Sequence, residues 1–176
     1  MPITVTTTTP PTTTKATVAN KPALHHTSLR AGMPAPFFEG INQQGQLISL
    51  RSFTGRRLLL YFYPKDNTPP CTAQACNLRD HYSELGKNGI SIVGVSADNE
   101  LSHAEFSDKH QLPFSILADT DLAIIKAYDV WGMKDIAGRF FEGIVRTSFL
   151  IDEHGIIERV INNVSTSKHA DQILNS

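Results

Sequence analysis

The stretch Leu58-Leu-Leu-Tyr-Phe-Tyr-Pro-Lys-Asp-Asn-Thr-Pro-Pro-Cys-Thr-Ala-Gln-Ala-Cys76 joins an apolar run to a loop rich in proline and polar residues, and it contains both cysteines of the chain. Residues 58–63 form a continuous apolar and aromatic run, which is typical of a parallel strand buried on both faces. From Cys71 to about Gly86, apolar residues recur at positions that share one helix face. The stretch therefore predicts a strand, a loop that begins at Pro64, and a helix whose first turn carries Cys71.

This position favours a reactive thiol. Unpaired backbone N–H groups and the positive end of the helix dipole favour thiolate over thiol, and Lys65 adds positive charge. On a regular helix the Cα atoms of Cys71 and Cys76 would lie about 8.7 Å apart, beyond the roughly 7 Å limit of a disulfide. The spacing indicates a redox-active pair that bridges only when the helix unwinds. Two buried structural cysteines are the alternative, and the spacing disfavours a zinc site.

Composition narrows the class of protein. A chain of 176 residues with 40% hydrophobic residues is long enough for one domain with a proper core. A net charge of -1 and scattered basic residues give no reason to expect nucleic acid or an anionic membrane as a partner. Two cysteines cannot build a framework of structural disulfides, so we expect working thiols in the reducing cytoplasm.

Residues 1–29 differ from the rest of the chain. They contain many threonines and prolines, no acidic residue and no helical or strand periodicity. Such a segment cannot bury enough apolar surface to offset its ordering entropy. We expect a disordered tail over residues 1–29 and a folded domain over 30–176. If the tail is a transit peptide, the location would be organellar instead.

The remaining segments alternate between strand and helix patterns. The expected elements are a hairpin around Gly45, a strand over 90–95, helices over 100–110, 119–128 and 167–174, an irregular stretch over 130–143, and a hairpin formed by 147–151 and 156–161. His103 and His110 are expected on the surface of their helix. This order predicts an α/β protein with a mixed central sheet flanked by helices and an N-terminal β-hairpin. It is the order of the thioredoxin fold.

Residues 61–80 resemble the active-site segment of peroxiredoxins of the bacterioferritin comigratory protein, or PrxQ, group. The similarity continues in family order through 95–98, 128–132 and 143–152, and covers roughly residues 30–175. The resemblance implies a thiol-specific peroxidase that reduces hydrogen peroxide and organic hydroperoxides. It further implies recycling by thioredoxin or a similar dithiol protein and no bound cofactor, and we expect a monomer.

The family pattern of proline, three residues, threonine, two residues and cysteine falls on Pro64, Thr68 and Cys71. The resemblance implies that Cys71 is the peroxidatic cysteine, which becomes a sulfenic acid, and that Cys76 resolves it as an intramolecular disulfide. It also implies that the Thr68 hydroxyl contacts the thiolate and the peroxide, and that Pro64 shields the pocket. Arg146 matches the arginine that favours the thiolate and stabilises charge on the leaving oxygen.

The chain departs from the family directly before the peroxidatic cysteine, where Pro70 replaces the usual glycine. In the site that this segment resembles, the backbone N–H at that position helps hold the peroxide, and proline has none. We therefore expect weaker peroxide turnover than is normal for the family. Gln74, where many relatives have glutamate, removes a negative charge near the thiolate and offsets part of this loss.

Two other functions stay open at this point. A thiol–disulfide oxidoreductase has the same fold, but its cysteines are normally separated by two residues rather than four. A redox-sensing protein with low peroxidase activity is the second alternative, because Pro70 weakens the peroxide site.

Overall fold

The computed structural model describes residues 20–175 of the chain. Its elements are β1 (Glu39–Ile41), β2 (Leu47–Ser49), a 3-10 helix (Leu50–Phe53), β3 (Arg57–Phe62), α1 (Pro69–Asp80), α2 (Tyr82–Lys87), β4 (Ile90–Ser96), α3 (Glu100–His110), β5 (Ser115–Ala118), α4 (Ala123–Ala127), β6 (Trp131–Ile136), β7 (Arg139–Ile144), β8 (Thr147–Ile151), β9 (Ile157–Ile161) and α5 (His169–Leu174). Within this described range, no helix is long and apolar enough to cross a membrane.

A five-stranded sheet with the order β5-β4-β3-β8-β9 forms the centre of the fold. β3 pairs in parallel with β4 and antiparallel with β8, so the sheet is mixed. The side chains of β3 alternate between two cores, because successive residues of a strand point to opposite faces. Leu60 and Phe62 lie in one core, while Tyr61 lies in the other, together with Tyr63 and Cys71. The sheet thus separates the cysteine-bearing face from the opposite face, and the predicted fold class is confirmed.

Two hairpins and the helix α3 agree with the sequence predictions. β1 and β2 form the N-terminal hairpin, and β8 and β9 form the hairpin near the C-terminus. In the turn of the second hairpin, Oδ1 of Asp152 accepts hydrogen bonds from the backbone N–H groups of His154 and Ile156, both at 2.9 Å. The helix α3 begins after Asn99, whose Oδ1 accepts from the N–H of Ser102 at 2.9 Å. Local capping and turn chemistry therefore determines the boundaries of the second hairpin and of α3.

The stretch predicted to be irregular, 130–143, is instead a β-hairpin formed by β6 and β7. Its two-residue loop consists of Ala137 and Gly138, both with positive φ, at 52° and 81°. Loops of this kind match the right-handed twist of the strands that they connect. The N–H of Gly138 also donates to Oδ1 of Asp135 at 2.8 Å. The prediction was wrong because alanine is not a residue that indicates positive φ.

Three other elements differ from the sequence predictions. The strand β5 was missed, since it is defined by parallel pairing with β4 across a long connection rather than by a local pattern. The helix predicted over 71–86 is interrupted at His81, whose φ of −104° and ψ of 11° separate α1 from α2. The helix α4 begins later than predicted because the Asp119 carboxylate accepts from the N–H groups of Ile124 and Ile125, at 3.1 and 2.7 Å.

The folded domain begins before Arg30. The N–H of His25 donates to the carbonyl of Met133 at 2.9 Å, and the Thr27 hydroxyl donates to the carbonyl of Tyr128 at 2.8 Å. Residues 25–29 were predicted to be part of the tail, but these hydrogen bonds attach them to the segment around β6. The prediction of disorder for residues 1–19 lies outside the described residues.

Candidate active site

Asp66 anchors the loop that connects β3 to α1. Its carboxylate accepts hydrogen bonds from the Tyr63 hydroxyl at 2.5 Å and from the Ser102 hydroxyl at 2.8 Å. Nδ1 of His103 lies 2.7 Å from the same carboxylate. The N–H of Asp66 in turn donates to Asp98 at 2.9 Å. This buried network ties the loop to the first turns of α3, so that α1 begins at a fixed place.

His103 is fully buried, and the prediction that it lies on the helix surface was wrong. Its second ring nitrogen lies 3.0 Å from the carbonyl oxygen of Leu117. The ligand atoms of Asp66, Asp98 and His103 lie within 4.8 Å of one another, so this trio could hold a metal ion. However, its atoms already have hydrogen-bond partners within the protein. We interpret the trio as a structural network.

Cys71 lies in the first turn of α1, and its side chain is 2% exposed. Nη2 of Arg146 donates to the sulfur of Cys71 at 3.2 Å, and Nη1 donates to Oε1 of Gln74 at 2.5 Å. Arg146 belongs to the short link between β7 and β8, 75 positions further along the chain. The planar guanidinium therefore bridges the first two turns of α1 and places a permanent positive charge against the thiol.

Gln74 contributes only its oxygen to this contact. The side chain is buried, and its Nε2 has no hydrogen-bond partner among the described residues. An unpaired buried N–H group costs roughly 1–3 kcal/mol. A glutamate at this position would give Arg146 a charged partner. The glutamine therefore leaves the positive charge of Arg146 uncancelled beside the sulfur.

Lys134 brings a second positive charge to the site, and the sequence did not identify it. Its Nζ donates to the carbonyl of Ile144 at 2.5 Å and lies 5.8 Å from the centre of the Phe141 ring. Burial, followed by the positive charge of Arg146, lowers the pKa of Lys134. Lys134 could have been identified only by predicting the hairpin of β6 and β7, which brings its side chain near Arg146.

Thr68 immediately precedes α1, and its hydroxyl donates to the carbonyl of Lys65 at 2.8 Å. The predicted contact of this hydroxyl with the thiolate is therefore not formed in this conformation, because a hydroxyl has one hydrogen to donate. Pro64 is half-buried and begins the loop that Asp66 anchors. Pro69 and Pro70 occupy the first two positions of the helix, so the N–H of Cys71 is the first backbone donor of α1.

Cys76 lies on the same helix as Cys71, and both are free thiols. Cys71 is buried, whereas Cys76 is half-buried, with its sulfur 3.8 Å from Nδ1 of His110. His110 is the last residue of α3 and is also half-buried. The sequence had predicted a position on the helix surface for it. The helix between the two cysteines is continuous, which keeps the sulfurs apart until it unwinds.

His169 lies beneath the site at the start of α5. Its Nε2 lies 2.9 Å from the hydroxyl oxygen of Ser148, and its ring meets the Tyr61 ring edge-on at 6.5 Å. Burial is the largest cause that lowers the pKa of His169, to about 4, and the charge of Arg146 acts in the same direction. The positive charge of Arg146 thus affects the pKa of a histidine in the core of the domain.

Comparisons with known proteins agree with this geometry. The AhpC/TSA family matches residues 31–160. Peroxiredoxin Bcp of Escherichia coli K12 is 44% identical over 147 residues, covering 84% of this chain and 94% of the relative. Peroxiredoxin Bcp of Bacillus subtilis is 36% identical over the same shares. A cysteine-to-serine variant of Xanthomonas campestris Peroxiredoxin Q superposes with a TM-score of 0.76 at 34% identity, covering 84% of this chain and 96% of that one.

The chain belongs to the AhpC/TSA family and, within it, to the peroxiredoxins, which are thiol-dependent peroxidases. The resemblance that the sequence indicated is confirmed. The activity of the class, oxidation of a cysteine thiol by peroxide, agrees with a cysteine held against an arginine at a helix N-terminus.

The lowered pKa of His169 predicts that the free energy of unfolding decreases as the pH falls from 7 to 4. Its pKa is about 4 in the folded protein and about 6.5 in the unfolded chain. The unfolded chain therefore binds the extra proton between these values, and the folded state loses on the order of 3 kcal/mol as pH falls from 7 to 4. Denaturant unfolding between pH 4 and 7 measures this loss. His169→Gln should remove it, and His154→Gln on the surface should not. An unchanged slope in His169→Gln would contradict the assignment.

Proposed function

We propose that this peroxiredoxin uses Cys71 as its peroxidatic cysteine and reduces hydrogen peroxide and organic hydroperoxides. The observation that supports this most strongly is the 3.2 Å contact between Nη2 of Arg146 and the sulfur of Cys71. The guanidinium and the N-terminus of α1 both favour the thiolate, which is the nucleophilic form. The sulfur is almost fully buried, which limits the access of large electrophiles.

The thiolate attacks the nearer oxygen of the peroxide, so that an S–O bond forms and the O–O bond breaks. The leaving oxygen departs as hydroxide or alkoxide and takes a proton from solvent, while Cys71 becomes a sulfenic acid. Negative charge moves from sulfur to the leaving oxygen during this step. The fixed positive charges of Arg146 and Lys134 stabilise that charge without reorganisation.

Thr68 and Pro64 would complete the peroxide pocket. Both lie on the loop that the Asp66 network anchors, directly before the first turn of α1. Rotation of the Thr68 hydroxyl away from the Lys65 carbonyl would release its hydrogen for the thiolate or the peroxide. Pro64, at the start of the loop after β3, would then limit access of water to the sulfur.

Cys76 would resolve the sulfenic acid as an intramolecular disulfide after part of α1 unwinds. Asn77 supports such a division of the helix. Its Nδ2 donates to the carbonyl of Ser167 at 3.0 Å, and its Oδ1 accepts from the N–H of Ala170 at 2.8 Å. These two hydrogen bonds hold the helix from Asn77 onward, so unwinding would be confined to residues 69–76.

Thioredoxin or a similar dithiol protein would then reduce the disulfide. The half-buried position of Cys76 supports this step, because the incoming thiolate needs access to one of the two sulfurs. A solved structure of the bacterioferritin comigratory protein of Xanthomonas campestris, 34% identical, is described by its alkyl peroxide reduction activity, which supports organic hydroperoxides as substrates here. We expect a monomer, since both cysteines lie on one chain, acting in the reducing cytoplasm.

Cysteine variants test these roles through thioredoxin-coupled consumption of NADPH on addition of peroxide. Cys71→Ser should abolish turnover, because no other cysteine lies against Arg146. Cys76→Ser should still react with the first equivalent of peroxide, but should then over-oxidise or form mixed disulfides with the reductant. Oxidised wild-type protein should remain monomeric on a non-reducing gel. Turnover that persists in Cys71→Ser would contradict the assignment.

Pro70→Gly should raise kcat/KM for hydrogen peroxide by about 10- to 100-fold, since it restores a backbone donor at the second position of α1. The same substitution one position earlier, Pro69→Gly, is the matched control, because it changes backbone entropy equally. Steady-state kinetics of both variants at equal thioredoxin concentration measure the effect. An unchanged kcat/KM in Pro70→Gly, or an equal rise in Pro69→Gly, would show that the missing donor does not limit turnover.

A further inference from the structure

The last residue of α3, His110, lies beside the proposed resolving cysteine. Nδ1 of His110 is 3.8 Å from the sulfur of Cys76, within hydrogen-bond reach of a thiol. We propose that His110 is the proton acceptor that converts Cys76 to its thiolate for the resolving step. This inference rests on the proposed function, in which Cys76 attacks the Cys71 sulfenic acid.

The ring of His110 is held in place by its own backbone and by its neighbours. Nη1 of Arg79, one turn after Cys76 on α1, donates to the carbonyl of His110 at 2.8 Å. The Phe106 ring meets the imidazole edge-on at 5.2 Å. Gln111, with a positive φ of 50°, ends the helix directly after His110. The imidazole therefore faces α1 at the height of Cys76.

Cys76 needs such a partner because the groups that favour a thiolate at Cys71 do not serve it. Cys76 lies two turns into α1, away from the helix N-terminus, and Arg146 is engaged by Cys71 and Gln74. An ordinary thiol is only a few per cent thiolate at pH 7. A neighbouring base therefore increases the fraction of encounters in which the resolving sulfur is nucleophilic.

The charges around His110 keep its ring in the accepting form. The groups that face it are Lys109 on its own helix, Arg79 on α1, and the Cys76 thiol. Arg79 is also paired with the Asp80 carboxylate at 2.9 Å. Burial, followed by the positive charges of Lys109 and Arg79, lowers the pKa of His110 below its usual 6.5. At neutral pH the imidazole is therefore neutral and free to take a proton.

The resolving step consists of a proton transfer followed by the attack of one sulfur on the other. Nδ1 of His110 takes the proton of the Cys76 thiol and passes it to solvent, because the ring is half-buried. As α1 unwinds, the Cys76 thiolate attacks the sulfur of the Cys71 sulfenic acid. An S–S bond forms, the S–O bond breaks, and the hydroxide that leaves takes a proton to become water. No oxidant or reductant beyond the peroxide already consumed is required.

The rate of disulfide formation tests the proposal. Reduced protein is mixed with one equivalent of hydrogen peroxide and quenched at intervals, and mass spectrometry quantifies the thiol, sulfenic, sulfinic and disulfide forms. His110→Gln should slow disulfide formation by at least about 10-fold and increase sulfinic acid, while Cys71 is oxidised at the wild-type rate. Imidazole added to the buffer should restore part of the lost rate. His154→Gln, an exposed histidine, should behave as wild type.

The pH profile separates proton transfer from packing. In the wild type, disulfide formation should rise with pH through a midpoint below 6.5 and then level off. Lys109→Gln should move this midpoint to higher pH, because it removes a charge that opposes protonation of His110. In His110→Gln this midpoint should disappear.

Two outcomes would overturn the proposal. One is wild-type disulfide formation in His110→Gln, and the other, available even if that variant fails to fold, is a wild-type profile without a midpoint below 6.5. Failure of the underlying function is distinguishable from both, since Cys71 would then not be oxidised by peroxide in any variant.

Discussion

The hydrogen bond from Arg146 to the sulfur of Cys71, at 3.2 Å, is the contact on which the proposed chemistry of this protein depends. The sheet produces it. Phe62, at the end of β3, is paired with Thr147, at the start of β8. Arg146 directly precedes Thr147, so the antiparallel register places it at the edge of the sheet where the loop after β3 leads to α1. A shift of β8 by one residue would turn Arg146 to the other face of the sheet.

In the proposed mechanism, the helix α1 has to satisfy two opposing demands. Folded, it presents its N-terminus and the Arg146 contact to Cys71, which favours attack on peroxide. Unwound, it allows Cys76 to reach the oxidised sulfur. The anchors of α1 divide these tasks along its length, because Arg146 holds the first two turns, His110 lies beside Cys76, and Asn77 attaches the remainder to α5. Chemical change at Cys71 can thus weaken the first anchor while the last one holds.

Local patterns predicted the parts of the structure that short-range chemistry determines. The apolar run of β3, the helix α3 and the hairpin around Asp152 were all evident from the sequence, and spacing alone singled out Cys71 and Cys76. Arg146 could be assigned only through family resemblance, because pairing between distant strands brings it to the helix. Lys134 and the burial of His103 were missed for the same reason, since both depend on where β6 and α3 pack. The strand β5 likewise has no local signal, because its position is set by pairing with β4, a separate segment of the chain.

The most direct test of the central contact is the second-order rate constant for reaction of reduced Cys71 with hydrogen peroxide, measured in a single turnover at pH 7. Loss of a charge-assisted hydrogen bond of about 1.5–3 kcal/mol corresponds to a fall of roughly 10- to 100-fold. Arg146→Met should show this fall, whereas Arg57→Met, which removes an exposed partner of Glu158, should keep the wild-type rate. A wild-type rate constant in a correctly folded Arg146→Met variant would contradict the account.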